Sequence, residues 1–480
     1  MSTPRQRRRK RLKGFQAFTK LFSGNNDEAA ELREEFADPL SFDQPNSRWR
    51  EEIMKFVGPA YETPPGPRAL LNDYLSWFYK LPYNNQPVAI RLANQAREYG
   101  VKLNTWTRYI TVKDLLLNPR DIGARARYET ILDDLPTRTV VDYDQEHEYP
   151  PRDEWIYDCK EAGEKWRFHI TEGPQPDRRI KRKEMHEVDL KELDHDIGPK
   201  QSVRFVDGEG ALVLLVIRDF CTSDAACEWA DSVALRNVDD RRSIRLEDAG
   251  SIVMSGWSAG SRSSPQFHWA RNLLRKASPE QAEKLAYEAS WAFALFWNLC
   301  KAVLPRPIIE DFETFIRESG IYRMDPGTVG EGPEGMYSIM TEEGWVTFRN
   351  VEMAPPCGVF AKNYARATHN ESQPHKWAIS WTTQRRGDVK DGGHFYNCQY
   401  RVRIQAAPNT LIAWQPVQYH ATSLQNVDPY DADPAFVQSG LALVTSSRIQ
   451  GVFLKYMDKK ITATQAAEEC FRAGYQDDEP

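Results

Sequence analysis

Along this chain the hydrophobic positions change their period, and the change divides it. Between about residues 28 and 132 the pattern is mainly helical: Leu70, Leu71, Tyr74, Trp77 and Phe78 recur at helical spacing, as do Ile90, Leu92 and Ala93. Prolines interrupt this region at Pro64-Pro65-Gly66-Pro67 and between Pro82 and Pro87. Asp133 to Pro151, acidic and flanked by proline, reads as linker or surface loop, and Tyr157 to Leu193 is highly charged with scattered apolar residues. From Ser202 the character changes: Val203 to Val206, the turn Asp207-Gly208-Glu209-Gly210 and Ala211 to Phe220 predict a strand, a tight turn and a buried strand. Gly256 to Arg262 reads as a loop.

Ser278-Pro279-Glu280-Gln281 predicts a capped helix start, with the helix running to about Val303 and stopping at Pro305. Leu285, Ala289, Ala292, Phe293, Phe296 and Cys300 share one face, which should pack against a sheet. Beyond it the period becomes two: Trp377, Ile379 and Trp381 alternate with Ala378 and Ser380, and Tyr400, Val402 and Ile404 with Arg401 and Arg403. Short alternating strands separated by turns suit a jelly-roll. The expected fold class is therefore α+β, a double-stranded β-helix core with packed helices preceded by a mainly helical N-terminal region. Its expected divisions are a basic, disordered tail over 1–48, the helical region and charged linker over 49–195, an oxygenase-like domain over 196–460 and a tail over 461–480.

Composition narrows the class. The chain has 480 residues, 41% of them hydrophobic, and fourteen tryptophans, enough for a large core. A net charge of −6 argues against a histone-like coat of nucleic acid but leaves local basic patches open. Arg5 to Lys13 is such a patch, a solvated tail, a nuclear address or a nucleic-acid contact, and Arg178 to Lys183 is another with the same readings; no apolar run is long enough for a membrane span. Seven cysteines without a CxxC pair support neither a zinc ribbon nor a disulfide framework. Pro326 to Gly335 is glycine-rich, but it lacks the GKS/T ending of a phosphate loop.

The chemistry concentrates between Val359 and Leu454. A non-haem iron(II) centre takes two imidazoles and one carboxylate and leaves open positions. His369 and Glu371, two residues apart, would face the same side of an extended strand, and His420 follows the strand Thr410 to Trp414. Two other readings remain open: His369 and His420 as surface or core residues, and His375 or His394 as rival ligands.

The runs KNYARATHNE, WAISWTT, DGGHF, NTLIAWQPVQYHATSLQ and FVQSGLALVTSSR resemble the TET/JBP-like 2-oxoglutarate-Fe(II) oxygenases abundant in mushroom-forming fungi. The resemblance covers roughly Ser202 to Tyr456 and is most specific in the last hundred residues. It implies His369, Glu371 (where the family usually has aspartate) and His420 as metal ligands. Arg448 would anchor the 2-oxoglutarate carboxylate, with Asn363 and Tyr364 as further co-substrate contacts. If related folds instead place the anchor at Ser439, nineteen residues after His420, the arginine is missing. The implied activity is oxidation by molecular oxygen of a methylated base in nucleic acid, flipped or unstacked for reaction. The alternatives are a degenerate oxygenase fold serving as a nucleic-acid or protein binding module, and an oxygenase acting on a small molecule or protein side chain.

Overall fold

The structure is a computed structural model that describes residues 4–22, 26–35, 44–78, 135–174, 181–221, 223–260, 265–270, 278–327, 334–341, 344–431 and 433–460. Among the sequence expectations, Ile90, Leu92 and Ala93, Arg178 to Ile180, Arg262, most of the glycine-rich loop and the 461–480 tail lie outside the described residues. The chain divides into two compact units, Met1–Ile131 and Leu132–Pro480.

In the first unit the described residues form helices α1 (Pro4–Phe22), α2 (Asp27–Glu35), α3 (Arg48–Val57) and α4 (Pro67–Phe78). The basic run Arg5 to Lys13 is helical, not the disordered tail that its charge suggests. The cause lies just downstream: Phe15, Phe18 and Phe22 make an apolar stripe that is buried, with Phe18 edge-on to Tyr74 at 5.2 Å. Arg11 pairs with Asp73 at 3.0 Å, and Arg7 pairs with Glu62.

The second unit is mixed α+β, built on a curled sheet of thirteen strands among the described residues. Its elements are β1 (Thr137–Thr139), β2 (Trp155–Tyr157), α5 (Lys160–Thr171), β3 (Met185–Glu187), β4 (His195–Ile197), β5 (Val203–Val206), β6 (Leu212–Arg218), α6 (Asp224–Asp239), β7 (Ala249–Gly260) and β8 (Pro265–Trp269). Then come α7 (Pro279–Val303), α8 (Arg306–Ser319), the hairpin β9 (Glu334–Thr341) and β10 (Gly344–Glu352), β11 (Cys357–His369) and β12 (Ala378–Arg386). The last are β13 (Phe395–Asn397), β14 (Val402–Ile404), β15 (Thr410–Trp414), β16 (His420–Thr422), β17 (Val437–Leu443) and α9 (Ile449–Lys455). The boundary expected near residue 195 falls earlier, because β1 pairs in parallel with β5 and β4 in parallel with β14. The stretch read as charged linker also forms α5, which buries Ala162, Trp166 and Ile170. Gly256 to Gly260, read as loop, continues β7.

Strand order runs β1-β5-β6-β15-β12-β17-β11-β16-β13-β14-β4, with β7 on β11 and β8 on β7. The thirteen residues of β11 tie the curl together. Val359 to Lys362 lie between β17 and β7, whereas Arg366 and His369 pair with β16 across a register shift. Helix α7 begins with the capping box read from the sequence, Ser278 and Gln281 bonding each other's backbone. Its apolar face meets the sheet through Phe293 on Phe360 (4.8 Å) and Phe296 on Trp381 (5.8 Å). These contacts fix β11 and β12 from behind.

Gly440 of β17 sits where β11 and β12 pair on either side, and a Cβ there would lie 2.2 Å from the Trp381 carbonyl oxygen. A Gly440→Ala chain is expected to lose about 1–3 kcal/mol, since the backbone of a central strand has to move. Its urea midpoint against that of the parent measures this.

Candidate metal centre

The end of β11 brings two histidines together. In the antiparallel pairing of β11 with β16, His369 is the direct partner of His420, and their ring centroids are 4.3 Å apart. Each ring donates from Nδ1 to a backbone carbonyl two residues upstream: His369 to Ala367 and His420 to Gln418, both at 2.8 Å. A carbonyl only accepts, so the proton sits on Nδ1 and the lone pair on Nε2. Among the described residues neither Nε2 has a hydrogen-bond partner. Metal-binding imidazoles need this arrangement, an outer bond that sets the tautomer and orients the ring.

Both rings stay neutral. Burial, the adjacent His420 and the Arg366 charge push His369 far below the ordinary imidazole range. Burial lowers His420 too, against the opposing pull of the Gln418 carbonyl and Glu371. Trp414 and Phe395 wall the second ring, with centroids at 5.7 and 6.0 Å.

Glu371 arrives differently from the expectation of a shared strand face. β11 ends at His369, and the next turn is held by the Glu371 N–H donating to Pro416 O at 2.8 Å. The glutamate still lines the same cavity of about 580 Å3 as the histidines. Its carboxylate, however, accepts from Arg366 Nη1 at 3.3 Å and from Gln373 Nε2 at 3.2 Å. Among the described residues no three His, Cys, Asp or Glu side chains already stand together as a metal site. The imidazole pair offers the nitrogen donors that a divalent ion takes, and Glu371 lines the same cavity with its carboxylate on Arg366.

The expected co-substrate residues are scattered. Arg448 does not line the cavity, and its guanidinium donates to the carbonyls of Ala259 and Gly260 at 3.2 Å. Asn363, at φ +50°, uses its amide on β17, donating to Phe436 O and accepting from Gln438 N–H. Tyr364 does line the cavity, with its hydroxyl on Asp248 Oδ2 at 2.5 Å. Ser439 is a wall residue whose hydroxyl donates to buried Asp231 at 2.6 Å.

The cations of the cavity wall are Arg245 and Arg366. Arg366 lies two positions beyond Tyr364 on β11 and shares its face, so the period-two pattern held a signal for it. Arg245 lies ahead of β7 and carried none.

The rival histidines are accounted for. His394 is 1% exposed and neither lines the cavity nor faces solvent. Its Nδ1 accepts from the Ala406 N–H at 2.9 Å, which places the proton on Nε2, 3.7 Å from Asp158. His375 donates Nδ1–H to Trp377 O at 2.7 Å and lies against Phe312, centroids 4.1 Å apart.

Burial lowers both His375 and His394 to about 4. The unfolded chain therefore takes up protons below pH 6.5 that the folded chain refuses. Stability is expected to fall as pH drops from about 6.5 to about 4, by up to about 3 kcal/mol for each ring. Denaturation at stepped pH, compared with a His375→Phe chain of shallower slope, checks this.

No family model matches the sequence, and no curated protein does. Among solved structures the chain is similar to NgTET1 in complex with 5mC DNA in space group P3221. That match has 9% identity and a TM-score of 0.34, covering 63% of this chain and 96% of the other. At that identity and TM-score the likeness carries no functional weight, and what bears on function is the histidine pair and its surroundings.

Proposed function

We propose that this chain is an iron(II)- and 2-oxoglutarate-dependent oxygenase of double-stranded β-helix type that oxidises a methylated base in nucleic acid. The observation that carries the proposal is the cross-strand His369–His420 pair, each ring neutral, anchored through Nδ1 and free at Nε2 beside a cavity. Iron(II) with 2-oxoglutarate supplies the activation of molecular oxygen that such an oxidation requires.

The residues then divide the work. His369 and His420 would present their Nε2 atoms to the ion, and Glu371, now on Arg366, would complete the set of ligands. Arg245, on the wall of the same cavity, would meet a carboxylate of the co-substrate, the role Arg448 cannot fill from where its guanidinium points. At about 580 Å3 the cavity is in the size range that encloses a small ligand, and an unstacked base fits that range. The basic run Arg5 to Lys13 is proposed as a nuclear address.

The test is iron-dependent formation of succinate from 2-oxoglutarate, coupled to mass spectrometry of oligonucleotides bearing methylated bases. Succinate together with an added oxygen on the base supports the proposal, and succinate with unchanged bases moves the substrate to a small molecule or protein side chain. A second reading, a fold that binds without turnover, is favoured by the Glu371–Arg366 ion pair and by Arg448 lying outside the cavity on the Ala259 and Gly260 carbonyls. Retained oligonucleotide binding with no succinate would select it. An Arg366→Gln chain separates the two: freeing Glu371 is expected to tighten Co(II) binding several-fold, whereas unchanged affinity speaks for a carboxylate that never joins the ion.

A further inference from the structure

Next to the candidate metal cavity lies a smaller one, of about 170 Å3, and Arg245 and Arg366 belong to the walls of both. Lys181, Arg182 and Lys183 also line it, giving five cations against two carboxylates, Glu247 and Asp248. Both carboxylates are engaged. Asp248 accepts from the Tyr364 hydroxyl and pairs with Arg366 at 3.6 Å, and Glu247 stands 3.8 Å from Arg245. Arg182 is committed to the carbonyls that end α5, those of Ile170, Glu172 and Gly173. Lys183 reaches Asp153 at 3.0 Å, and among the described residues Lys181 pairs with no carboxylate. The indoles of Trp155 and Trp166 supply an apolar part of the wall, which lowers the local dielectric and strengthens any charge interaction there.

We propose that this cavity is a subsite for a phosphate group. Excess positive charge reaches it from three separated segments, the stretch before β3, the stretch before β7, and β11. That arrangement suits an anion with acceptor oxygens on several sides better than a planar carboxylate, which one guanidinium satisfies. The volume is well below the roughly 300–1,000 Å3 of pockets that take whole ligands, so the site holds a phosphate and its immediate ester linkage. For its source the inference rests on the nucleic-acid proposal above: the phosphate is a backbone phosphodiester of the strand whose base enters the larger cavity. The shared Arg366 wall couples the two, since a phosphate that draws its guanidinium away from Glu371 frees the carboxylate for the ion.

The experiment uses the metal-free full chain, titrated with inorganic phosphate and, separately, with a methylated single-stranded DNA oligonucleotide at several salt concentrations. A Lys181→Glu/Lys183→Glu chain is expected to lose phosphate binding. It should bind the oligonucleotide roughly tenfold more weakly, with a salt slope smaller by about one. A Lys181→Arg/Lys183→Arg chain should retain both. Phosphate binding that the charge reversal removes, without any oligonucleotide binding, supports the site with a small phosphate-bearing ligand as its source. Unchanged binding of both probes in the charge-reversed chain, or no binding of either by the parent, overturns it. A His369→Ala chain keeps phosphate binding while losing the metal, so failure of the oxygenase proposal and failure of the subsite are told apart.

Discussion

Metal titration of a His420→Ala chain is expected to show divalent-ion binding weakened by at least about 100-fold, since loss of an outer-shell partner alone already costs about 10–100-fold. The ring contributes the lone pair on Nε2, and among the described residues no other imidazole is placed to replace it. His394 keeps its proton on that nitrogen, and His375 lies against Phe312. The same loss is expected for His369→Ala, because the pair are direct partners across β11 and β16. Some destabilisation should accompany the loss of His420, as a buried ring packed on Trp414 and Phe395 and its bond to the Gln418 carbonyl both disappear. Binding of Co(II), followed by its visible absorption, together with an unfolding curve for each variant, separates the two effects. Undiminished metal affinity in both variants would leave the cavity without a metal function.

The largest stability effect is expected from Arg403→Leu. Arg403 is 7% exposed, although its place in an alternating strand marks it as an outward residue. Its guanidinium bonds Asp196 through two nitrogens at 2.9 and 2.6 Å and Asp158 at 3.1 Å, and Asp158 also accepts from the Tyr396 hydroxyl at 2.6 Å. With the arginine gone, Asp158 keeps a buried charge that the Tyr396 hydroxyl and His394 only partly answer. Removing one partner of such a pair costs about 3–5 kcal/mol, mostly as the penalty on the charge left behind. The urea midpoint should drop accordingly, and an Asp158→Leu/Arg403→Leu chain should recover part of the loss. A drop of no more than about 1 kcal/mol in the single variant would mean that water reaches this network.

Some of this was legible from local chemistry. The α7 start, its end near Val303 and the β5–β6 hairpin follow from capping and turn residues acting within a few positions, and the structure places each where those residues predict. Three-residue strands such as β1 and β4 carry no period of their own. They exist because β5 and β14 offer open edges, so they read as linker until the sheet is assembled. Phe15, Phe18 and Phe22 were likewise masked by the basic run before them.

By itself, then, the sequence determined which side chains are able to ligate and where capped or turn-bounded segments such as α7 and the β5–β6 hairpin form, because those properties depend on residue type and near neighbours. Only the tertiary structure decided that His369 faces His420, that Arg366 holds Glu371, and that Arg448 is spent on the carbonyls of β7. Each of those is a contact between residues brought together by strand register or by the curl of the sheet, and register is a property of the whole hydrophobic pattern, not of any one segment.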